Sequence, residues 1–393
     1  MLSIGDIVRP FRTIDGFNKC QSFPNEFVVC NLERGIVPTG AASLQDPSIF
    51  NDISGLDLLR SLNDKVAALA NNHILDVQSS PLETINKLTE RGILSCGVGG
   101  NLSEASKPLV CDDNNQQYVF LTFGWEVISC TIAKRNRPGV KPLTPRHVIK
   151  TLRAAKQNYP KAHIVFLMHR NYELESYPQP MHRQLAFAAI DVGARAVIGC
   201  HSHCVQGIEF YKDAPIVYGL GNWYFPHGFY FDGKLKFPNI SHNQLAFEWR
   251  PTEKKSFCHL FKYNPATHYI DFIEKRSWEE CGVTTELTPF QNMSHEEYVS
   301  WFIIRSMGDA WKSSCFYVSP ANQTVAVLAK VIKNTPHDVL YLNSFFSPVF
   351  TLKPLLARFF GALPRRPVVL APRGEFSAGA LKMKGMKKTS YVA

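Results

Sequence analysis

Short apolar runs alternate with segments of helical period along the first two-thirds of the chain. Apolar residues recurring every three or four positions predict helices in SSPLETINKLTERG, LTPRHVIKTLRAAKQNYP and RQLAFAAIDVGA. Ser80 and Thr144 are expected to cap the first two helices, and Gly92 to end the first. The intervening apolar runs, such as HIVFLM and AVIGC, predict buried strands. This alternation predicts a layered α/β fold.

The pattern changes in the last third of the chain. Residues 228–300 hold the runs QLAFEWR, KSFCHLFKY and YIDFIEKR, which predict antiparallel strands that complete the first domain. From residue 313 a helix, a strand, a helix and a strand follow in turn, which is typical of a parallel βαβ unit. We therefore predict a first domain over 1–300, a linker over 301–312 and a second α/β segment over 313–393.

Composition and charge narrow the class of protein. Of the 393 residues, 45% are hydrophobic and 12% aromatic, as in a globular protein with a sizeable core. The net charge is +10, but from Val331 onward ten Lys/Arg stand against two Asp/Glu. The basic excess therefore belongs to the C-terminal segment. We interpret it as a solvated face and expect no nucleic-acid partner, with peripheral membrane attachment through this segment as the alternative.

The cysteines and the N-terminus bear on location. Ten cysteines are scattered without CxxC pairs, and MLSIGDIVRP lacks the pattern of a secretory signal. No window approaches the roughly 20 apolar residues that a membrane helix needs. We therefore expect reduced thiols and a cytoplasmic protein, at most attached to the inner face of the membrane.

Polar side chains follow six successive apolar runs, at the point where each predicted strand ends. In chain order they are Asp6, Glu33, Asn72 with His73 and Asp76, His169 with Glu173, His201 with His203, and Asn222. In α/β folds the carboxyl ends of parallel strands form one edge, where such side chains converge. Oxygen and nitrogen donors without thiolate suit Mn, Fe or Zn, and a pair of ions needs a bridging carboxylate.

Each of these residues also has an ordinary explanation. A single histidine at a strand end is more often a hydrogen-bonded structural residue, and Asp6 or Asn72 alone could belong to a turn or a helix cap. Cys200 and Cys204 flank the histidine pair, but their spacing lacks the paired arrangement of structural zinc sites. The concurrence of all six positions favours a shared metal centre.

The motifs GD, NLE, ANNHILD, HRNYE, GCHSH and GLGNW, in this order, resemble those of the calcineurin-like metallophosphoesterases. Within that superfamily they are most similar to the CapA branch, which is named for poly-γ-glutamate capsule synthesis. The resemblance covers residues 1–260. It implies a four-layer αββα sandwich with a dinuclear metal centre at one edge.

Carried onto this sequence, the resemblance implies a role for each polar residue. Asp6 and His203 would bind the first metal, Glu33 would bridge, and the second metal would take Asn72, His169 and His201. His73 would bind a phosphoryl oxygen of the substrate or protonate the leaving group, oriented by Asp76. Glu173, retained from the family motif, is the third candidate catalytic residue.

The sequence departs from the superfamily pattern at several positions. Val8 stands where a histidine ligand is usual, so we expect a weaker first metal site or a different ligand. Arg170 and Asn171 replace Trp and Gly, and Ser202 replaces Pro, which predicts altered walls of the pocket. The expected substrate class is a phosphate ester or a precursor of a polymer or glycan.

Residues 313–390 resemble something different, part of the N-terminal, acceptor-side Rossmann domain of family-four GT-B glycosyltransferases. The stretches LNSFFS and APRGEFSAGAL carry this resemblance, and they imply Arg373 and Glu375 as acceptor-side candidates. The glycine-rich loop and the nucleotide-sugar domain of such enzymes are not in this sequence. The segment is either a vestigial appendage or a docking module beside polysaccharide-synthesis enzymes.

Together these patterns predict a metal-dependent hydrolase of bacterial capsule, exopolysaccharide or poly-γ-glutamate biosynthesis. Two alternatives stay open. One is a glycosyltransferase-related fusion or fragment with an accessory metal-binding domain, and the other is a non-catalytic metal-binding scaffold in a synthesis complex.

Overall fold

The computed structural model describes residues 1–8, 27–39, 49–56, 65–77, 80–278, 287–307, 323–335, 337–343 and 347–371. The chain forms two compact units, Met1–Tyr298 and Val299–Ala393. The identities predicted for the two domains stay predictions. Within the described ranges no helix has both the length and the apolar character needed to cross a bilayer.

Two β-sheets form the centre of the first unit. The strands of the first sheet are β1 (Leu2–Ile7), β2 (Val28–Leu32), β5 (Lys65–Ala68), β6 (Leu94–Cys96), β15 (Asn222–Tyr224), β16 (Asn243–Arg250), β17 (Lys255–Tyr263) and β18 (Ile270–Ser277). Their order is β18-β17-β16-β1-β2-β5-β6, and β15 also pairs with β1. Strands β1, β2, β5 and β6 run parallel, whereas β16–β18 are antiparallel, as the alternating runs near the end of this unit predicted.

The second sheet has six strands. They are β8 (Leu109–Asp113), β9 (Gln116–Gly124), β11 (His163–His169), β12 (Ala196–Cys200), β13 (Val205–Tyr211) and β14 (Ala214–Leu220). Strands β9, β11, β12 and β14 are parallel, and the two edge strands β8 and β13 are antiparallel to their neighbours. The parallel strands are apolar along almost their whole length because both faces of this sheet are covered. Two short pairs, β3 (Ile36–Val37) with β4 (Asn51–Asp52) and β7 (Val98–Gly99) with β10 (Gly139–Val140), lie outside the two sheets.

The two sheets pack face to face over a shared apolar core. Val29 and Phe247 of the first sheet lie in one cluster with Phe120, Val165 and Ile198 of the second. Helices cover the outer faces: α1 (Leu82–Thr89) on the first sheet, and α3 (Pro145–Asn158) and α4 (Pro180–Asp191) on the second, with the single turn α2 (Leu102–Ala105) near β7. The protein is therefore a mixed α/β protein, as predicted.

The helices begin where the sequence predicts, within a few residues. The Thr144 hydroxyl accepts a hydrogen bond from the His147 backbone N–H (3.3 Å) and caps α3. Ser80 does not occupy the predicted cap position: Pro81 precedes the first residue of α1, and the Ser80 hydroxyl accepts from Leu82 N–H at 3.3 Å from one residue further back. Gly92, at a φ of +66°, follows the end of α1. Helix α4 starts at Pro180, three residues before the predicted start.

The predicted linker over 301–312 overlaps a helix. Helix α5 (His295–Met307) occupies its first seven positions, and residues 308–312 lie outside the described residues. The helix has a capping box: Glu297 N–H donates to the Ser294 hydroxyl, and Ser294 N–H donates to the Glu297 carboxylate at 2.7 Å. The sequence contains this signal as SHEE.

The second unit contains the elements predicted for it. Helix α6 (Val325–Asn334), capped by Thr324, precedes β19 (Leu340–Asn343), and a π turn (Pro348–Leu352) leads into α7 (Lys353–Phe359) and β20 (Val368–Ala371). Strands β19 and β20 are parallel, so this segment is a βαβ unit. The resemblance to a glycosyltransferase domain stays a prediction, and Arg373 and Glu375 lie outside the described residues.

Candidate metal centre

The carboxyl ends of the parallel strands bring the predicted residues to one edge of the sandwich. In the first sheet Asp6 of β1 is in register with Asn31 of β2, and Glu33 follows directly after β2. In the second sheet His169, the last residue of β11, is in register with Cys200 of β12, so His201 begins the adjoining loop. The edge therefore carries carboxylates from one sheet and imidazoles from the other.

Two groups of buried side chains meet at this edge, and Glu33 belongs to both. One group is Asp6, Glu33 and His203, and the other is Glu33, His169 and His201. Within each group the potential ligand atoms all lie within 4.8 Å of one another. The sharing of a single carboxylate is the arrangement that two neighbouring ions require.

Short contacts join side chains in and beside the two groups. His203 Nδ1 lies 3.2 Å from Asp6 Oδ2, and His169 Nε2 lies 2.8 Å from the Asn72 side-chain oxygen. Two atoms about 2.1 Å from one zinc ion at tetrahedral angles are roughly 3.4 Å apart, close to the first distance, whereas the second is that of a hydrogen bond. Asn72 thus adjoins the second group, where it was expected. The ligand roles themselves stay predictions.

Unsatisfied buried atoms provide the strongest sign that this donor set fits a metal. Within the described part of the chain, both carboxylate oxygens of Glu33, Asp6 Oδ2, His169 Nδ1 and His201 Nδ1 have no hydrogen-bond partner. Glu33 is 0% exposed. A buried carboxylate without a partner is costly, and a divalent cation would satisfy these acceptors together.

The pKa values follow from the burial and the crowding of charge. Burial, and after it the Asp6 carboxylate, raises the pKa of Glu33. Burial lowers the pKa of His201 to about 2 and that of His169 well below its ordinary value, with the neighbouring histidines adding to both shifts. Both imidazoles are therefore neutral, which is the form that binds metals.

His203 titrates in the opposite direction. Burial alone would lower its pKa, but Glu33 and then Asp6 outweigh that effect and raise it to about 9. In the metal-free protein the His203 imidazolium is thus the cation that partly compensates two buried carboxylates. A metal ion would have to displace this proton.

The loop that carries the two histidines is strained. His201 has a φ of +95° and His203 a φ of +55°, in the left-handed region that few residues other than glycine adopt. Strain of this kind persists where the surrounding structure fixes it, and it is concentrated at functional sites. Nearby, Gly5 packs so closely that a Cβ would lie 1.8 Å from the Gly221 carbonyl oxygen, so the end of β1 tolerates no larger residue.

The three candidate catalytic residues are placed differently. His73 Nδ1 contacts Asp76 Oδ2 at 2.6 Å, as the predicted orienting role requires, and His73 Nε2 lies 4.0 Å from Glu33. Since a carboxylate only accepts, Nδ1 carries the proton and Nε2 points toward the two donor groups. Glu173 is exposed and belongs to neither donor group.

Several residues of the site were not assigned a role from the sequence. Asn31 donates its amide to Asp6 at 2.7 Å, and the Asn222 side-chain oxygen lies 2.8 Å from His203 Nδ1. Asn71 accepts from the backbone N–H groups of Arg34 and His73 and donates to a β2-end carbonyl, which joins two loops of the site. The motifs NLE, ANNH and GLGN contained these asparagines, but nothing in the sequence separated the orienting amides from the ligands.

One interpretation of the departures needs correction. Arg170 does not form a pocket wall: it is fully buried and donates to Gln206 and to the Tyr218 carbonyl, both at 3.0 Å. Val8 is buried in a separate apolar cluster, and the weaker first metal site stays a prediction. The cysteines flanking the histidine pair are absent from both donor groups among the described residues, and burial raises the pKa of Cys204 to about 12.

The family relationship is decided by a family model. The model described as bacterial capsule synthesis protein PGA_cap matches residues 19–227, more than half of the 393-residue chain. The chain belongs to this family. The matched part of the PGA_cap protein contains Glu33, Asn72, His73, His169, His201 and His203.

Relatives agree with this membership. The chain is 32% identical over 210 residues to the PGA biosynthesis protein CapA of Bacillus subtilis (strain 168), which is 52% of this chain and 54% of that protein. It is 30% identical over 168 residues to the capsule biosynthesis protein CapA of Bacillus anthracis, covering 42% of this chain and 40% of that protein. The chain thus spans about half the length, or less, of these curated relatives.

A solved structure, the 5'-nucleotidase precursor of Thermus thermophilus, superposes on the PGA_cap chain with a TM-score of 0.35 and 11% identity. The match covers 70% of this chain and 53% of that one. A likeness this low carries no functional conclusion.

Proposed function

We propose that this PGA_cap protein is a metal-dependent hydrolase of the metallophosphoesterase type that acts on a phosphate ester during synthesis of a bacterial capsule polymer. The observation that carries the proposal is the pair of buried donor groups that share Glu33. The two facing sheets with helices outside support the finer assignment to a four-layer metallophosphoesterase sandwich. Poly-γ-glutamate or a polysaccharide is the polymer in this proposal, since the relatives are named for capsule and PGA biosynthesis.

The proposed cofactors are two divalent ions, Mn, Fe or Zn. Asp6, Glu33 and His203 would hold one, and Glu33, His169, His201 and Asn72 the other. When bound, such a pair neutralises developing negative charge and makes water more acidic. The protein's own contribution is to hold neutral imidazoles and ionised carboxylates in a water-poor edge of the fold.

His73 is the residue placed to handle a proton. Its contact with Asp76 fixes the ring so that Nε2 points toward the donor groups. When Nε2 carries a proton as well as Nδ1, it would donate to a phosphoryl oxygen or protonate the oxygen of the leaving group. Asp76 is a positioning residue in this proposal, and the part of Glu173 stays a prediction.

Hydrolysis of p-nitrophenyl phosphate by the manganese-loaded full chain tests the proposal. We expect turnover that chelation removes and that His169→Ala abolishes. Cys200→Ala is the matched control, because Cys200 ends the neighbouring strand in register with His169 but belongs to neither donor group. Turnover that survives in His201→Ala would contradict the ligand assignment, and metal binding without any ester hydrolysis would favour the non-catalytic scaffold.

We also propose a location and partners for this protein. The basic segment from Val331 onward would suit an anionic surface such as the inner face of the cytoplasmic membrane, beside polysaccharide-synthesis enzymes. The βαβ unit is compatible with a glycosyltransferase-related accessory segment. Co-sedimentation of the full chain with anionic and neutral vesicles tests the membrane part, and equal binding to both would contradict it.

A further inference from the structure

Arg34 directly follows the shared carboxylate of the metal centre, and no role was assigned to it from the sequence. It has a φ of +81°, a conformation that is costly for a residue with a side chain. Its backbone carbonyl accepts from Asn51 Nδ2 at 3.2 Å, and Asn71 contacts its N–H. The chain thus uses two asparagine side chains to hold an arginine in a strained position beside Glu33.

The guanidinium of Arg34 is buried but only partly satisfied. Nη1 donates to Asp76 Oδ2 at 2.9 Å, and the side chain is 8% exposed. Nε is buried and has no hydrogen-bond partner among the described residues. An arginine guanidinium stays protonated in proteins, so Arg34 is a cation. An N–H of this cation that has no acceptor in the described chain is able to bind an anionic oxygen.

The position of this charge points to the centre rather than away from it. Arg34 shares Asp76 with His73: one carboxylate oxygen accepts from Arg34 Nη1 and contacts His73 Nδ1, and His73 Nε2 lies 4.0 Å from Glu33 Oε1. Arg34 and His73 are therefore held side by side, next to Glu33.

The charge of the occupied site indicates the kind of anion. Two divalent cations and Arg34 would face the carboxylates of Asp6, Glu33 and Asp76, with the histidine ligands neutral. For these groups alone the excess is two positive charges before a substrate binds. A phosphate monoester carries close to two negative charges at neutral pH, whereas a diester carries one.

We propose that Arg34 is a phosphoryl-binding residue that makes this site selective for phosphate monoesters over diesters. The inference rests on the proposed dinuclear hydrolase and specifies its substrate class. Arg34 donates to a non-bridging oxygen that a monoester has ionised and a diester has esterified, while His73 serves the neighbouring oxygen.

Binding of inorganic phosphate, measured by calorimetry on the full chain with and without manganese, tests the assignment independently of turnover. We expect Arg34→Ala to weaken phosphate binding to the loaded protein by at least about 10-fold, the effect of losing one charge-assisted hydrogen bond. Metal stoichiometry should not change. Arg91→Ala is the matched control, since Arg91 also has a buried, unpaired Nε but follows α1, outside both donor groups. Unchanged phosphate affinity in Arg34→Ala overturns the proposal.

A pair of substrates separates binding from a purely structural role. We expect Arg34→Ala to lower kcat/KM for p-nitrophenyl phosphate at least about 10-fold more than for bis(p-nitrophenyl) phosphate. Arg34→Lys keeps the positive charge but lacks the planar guanidinium, so it should hydrolyse the monoester faster than Arg34→Ala and more slowly than the wild type. Equal losses on both esters would mean that Arg34 only supports the fold. If Arg34→Ala does not fold, the same ratio in Arg34→Lys decides.

The two proposals fail in different ways. Phosphate binding that depends on Arg34 in a protein that hydrolyses neither ester would overturn the hydrolase and leave the binding assignment standing. Normal turnover with an unchanged monoester-to-diester ratio in both Arg34 variants would overturn only the assignment of Arg34.

Discussion

Replacing Glu33 by glutamine should change the stability of the protein in opposite directions with and without metal. Glu33→Gln keeps the shape of the side chain and removes its charge. In the metal-free protein both Glu33 oxygens are buried without a donor, and Asp6 lies in the same group. The substitution removes this repulsion together with the smaller attraction between Glu33 and the His203 imidazolium, and the new amide can donate to Asp6 Oδ2, which His203 Nδ1 contacts at 3.2 Å. We expect the free energy of unfolding to rise by about 1–3 kcal/mol.

With metal present the sign reverses. An ion at 100 times its dissociation constant stabilises the folded state by about 2.7 kcal/mol. This corresponds to a rise in Tm of roughly 5–10 °C for a unit of this size. The wild type should gain this stabilisation, while Glu33→Gln, which lacks the shared ligand of both groups, should gain little of it.

Thermal unfolding of chelated and manganese-loaded protein, followed by circular dichroism, measures both effects. The matched control is Glu209→Gln, because Glu209 is equally buried but fully paired, with Arg183 at 2.8 and 2.9 Å and the Tyr218 hydroxyl at 2.5 Å. That variant should lose about 3–5 kcal/mol in both states. A chelated Glu33→Gln that is less stable than wild type, with a normal response to manganese, would refute the interpretation of Glu33 as an unsatisfied bridging ligand.

Three further predictions rest on the same structure. Elemental analysis after dialysis should give two metal ions per chain in the wild type and one per chain in both His201→Ala and His203→Ala. Two ions per chain in either variant would contradict the assignment of donors to two groups. Burial alone would raise the pKa of Glu248, but its basic neighbours lower it to about 2, below the ordinary value of 4.5. The ionised carboxylate therefore stabilises the fold fully above pH 4.5, and this stabilisation is lost as the pH falls toward 2. Glu248→Gln should therefore cost about 2 kcal/mol at pH 7, after allowance for its partly exposed partners, and almost nothing near pH 2, as pH-dependent urea unfolding would measure. Gly5→Ala should reduce both stability and metal content, since its Cβ would overlap the Gly221 carbonyl, and a normal Tm would exclude this close packing.

The strands and the position of the site could be predicted because both follow from local pattern. Apolar runs fix where β1, β11 and β12 end, and a parallel sheet then places the residues that follow on one edge. Within each sheet this needs no knowledge of packing, but Asp6 and His201 belong to different sheets, and only the face-to-face packing of the two sheets brings them to one site. The antiparallel strands β16–β18 were predicted from alternation in the same way.

The residues that the sequence did not reveal depend on packing in three dimensions. Arg170 points into the core rather than to the pocket because Gln206 and the Tyr218 carbonyl accept hydrogen bonds from its guanidinium there. Arg34 belongs to the site because a left-handed backbone turns it toward Asp76. The hydrophobic periodicity of a sequence shows neither a backbone angle nor an unpaired nitrogen atom. Such residues are therefore found only from the three-dimensional structure.

Each donor group takes its side chains from both halves of the sandwich: Glu33 follows a strand of the first sheet, whereas His169 and His203 belong to or follow strands of the second. Elsewhere these sheets meet through apolar side chains. Bound ions would act as cross-links at one end of that interface. Without the metal, the edge of the two sheets that carries the donor groups should therefore open before the rest of the unit unfolds. Amide exchange should become faster at the ends of β2 and β11 together, and proteases should reach the chain there.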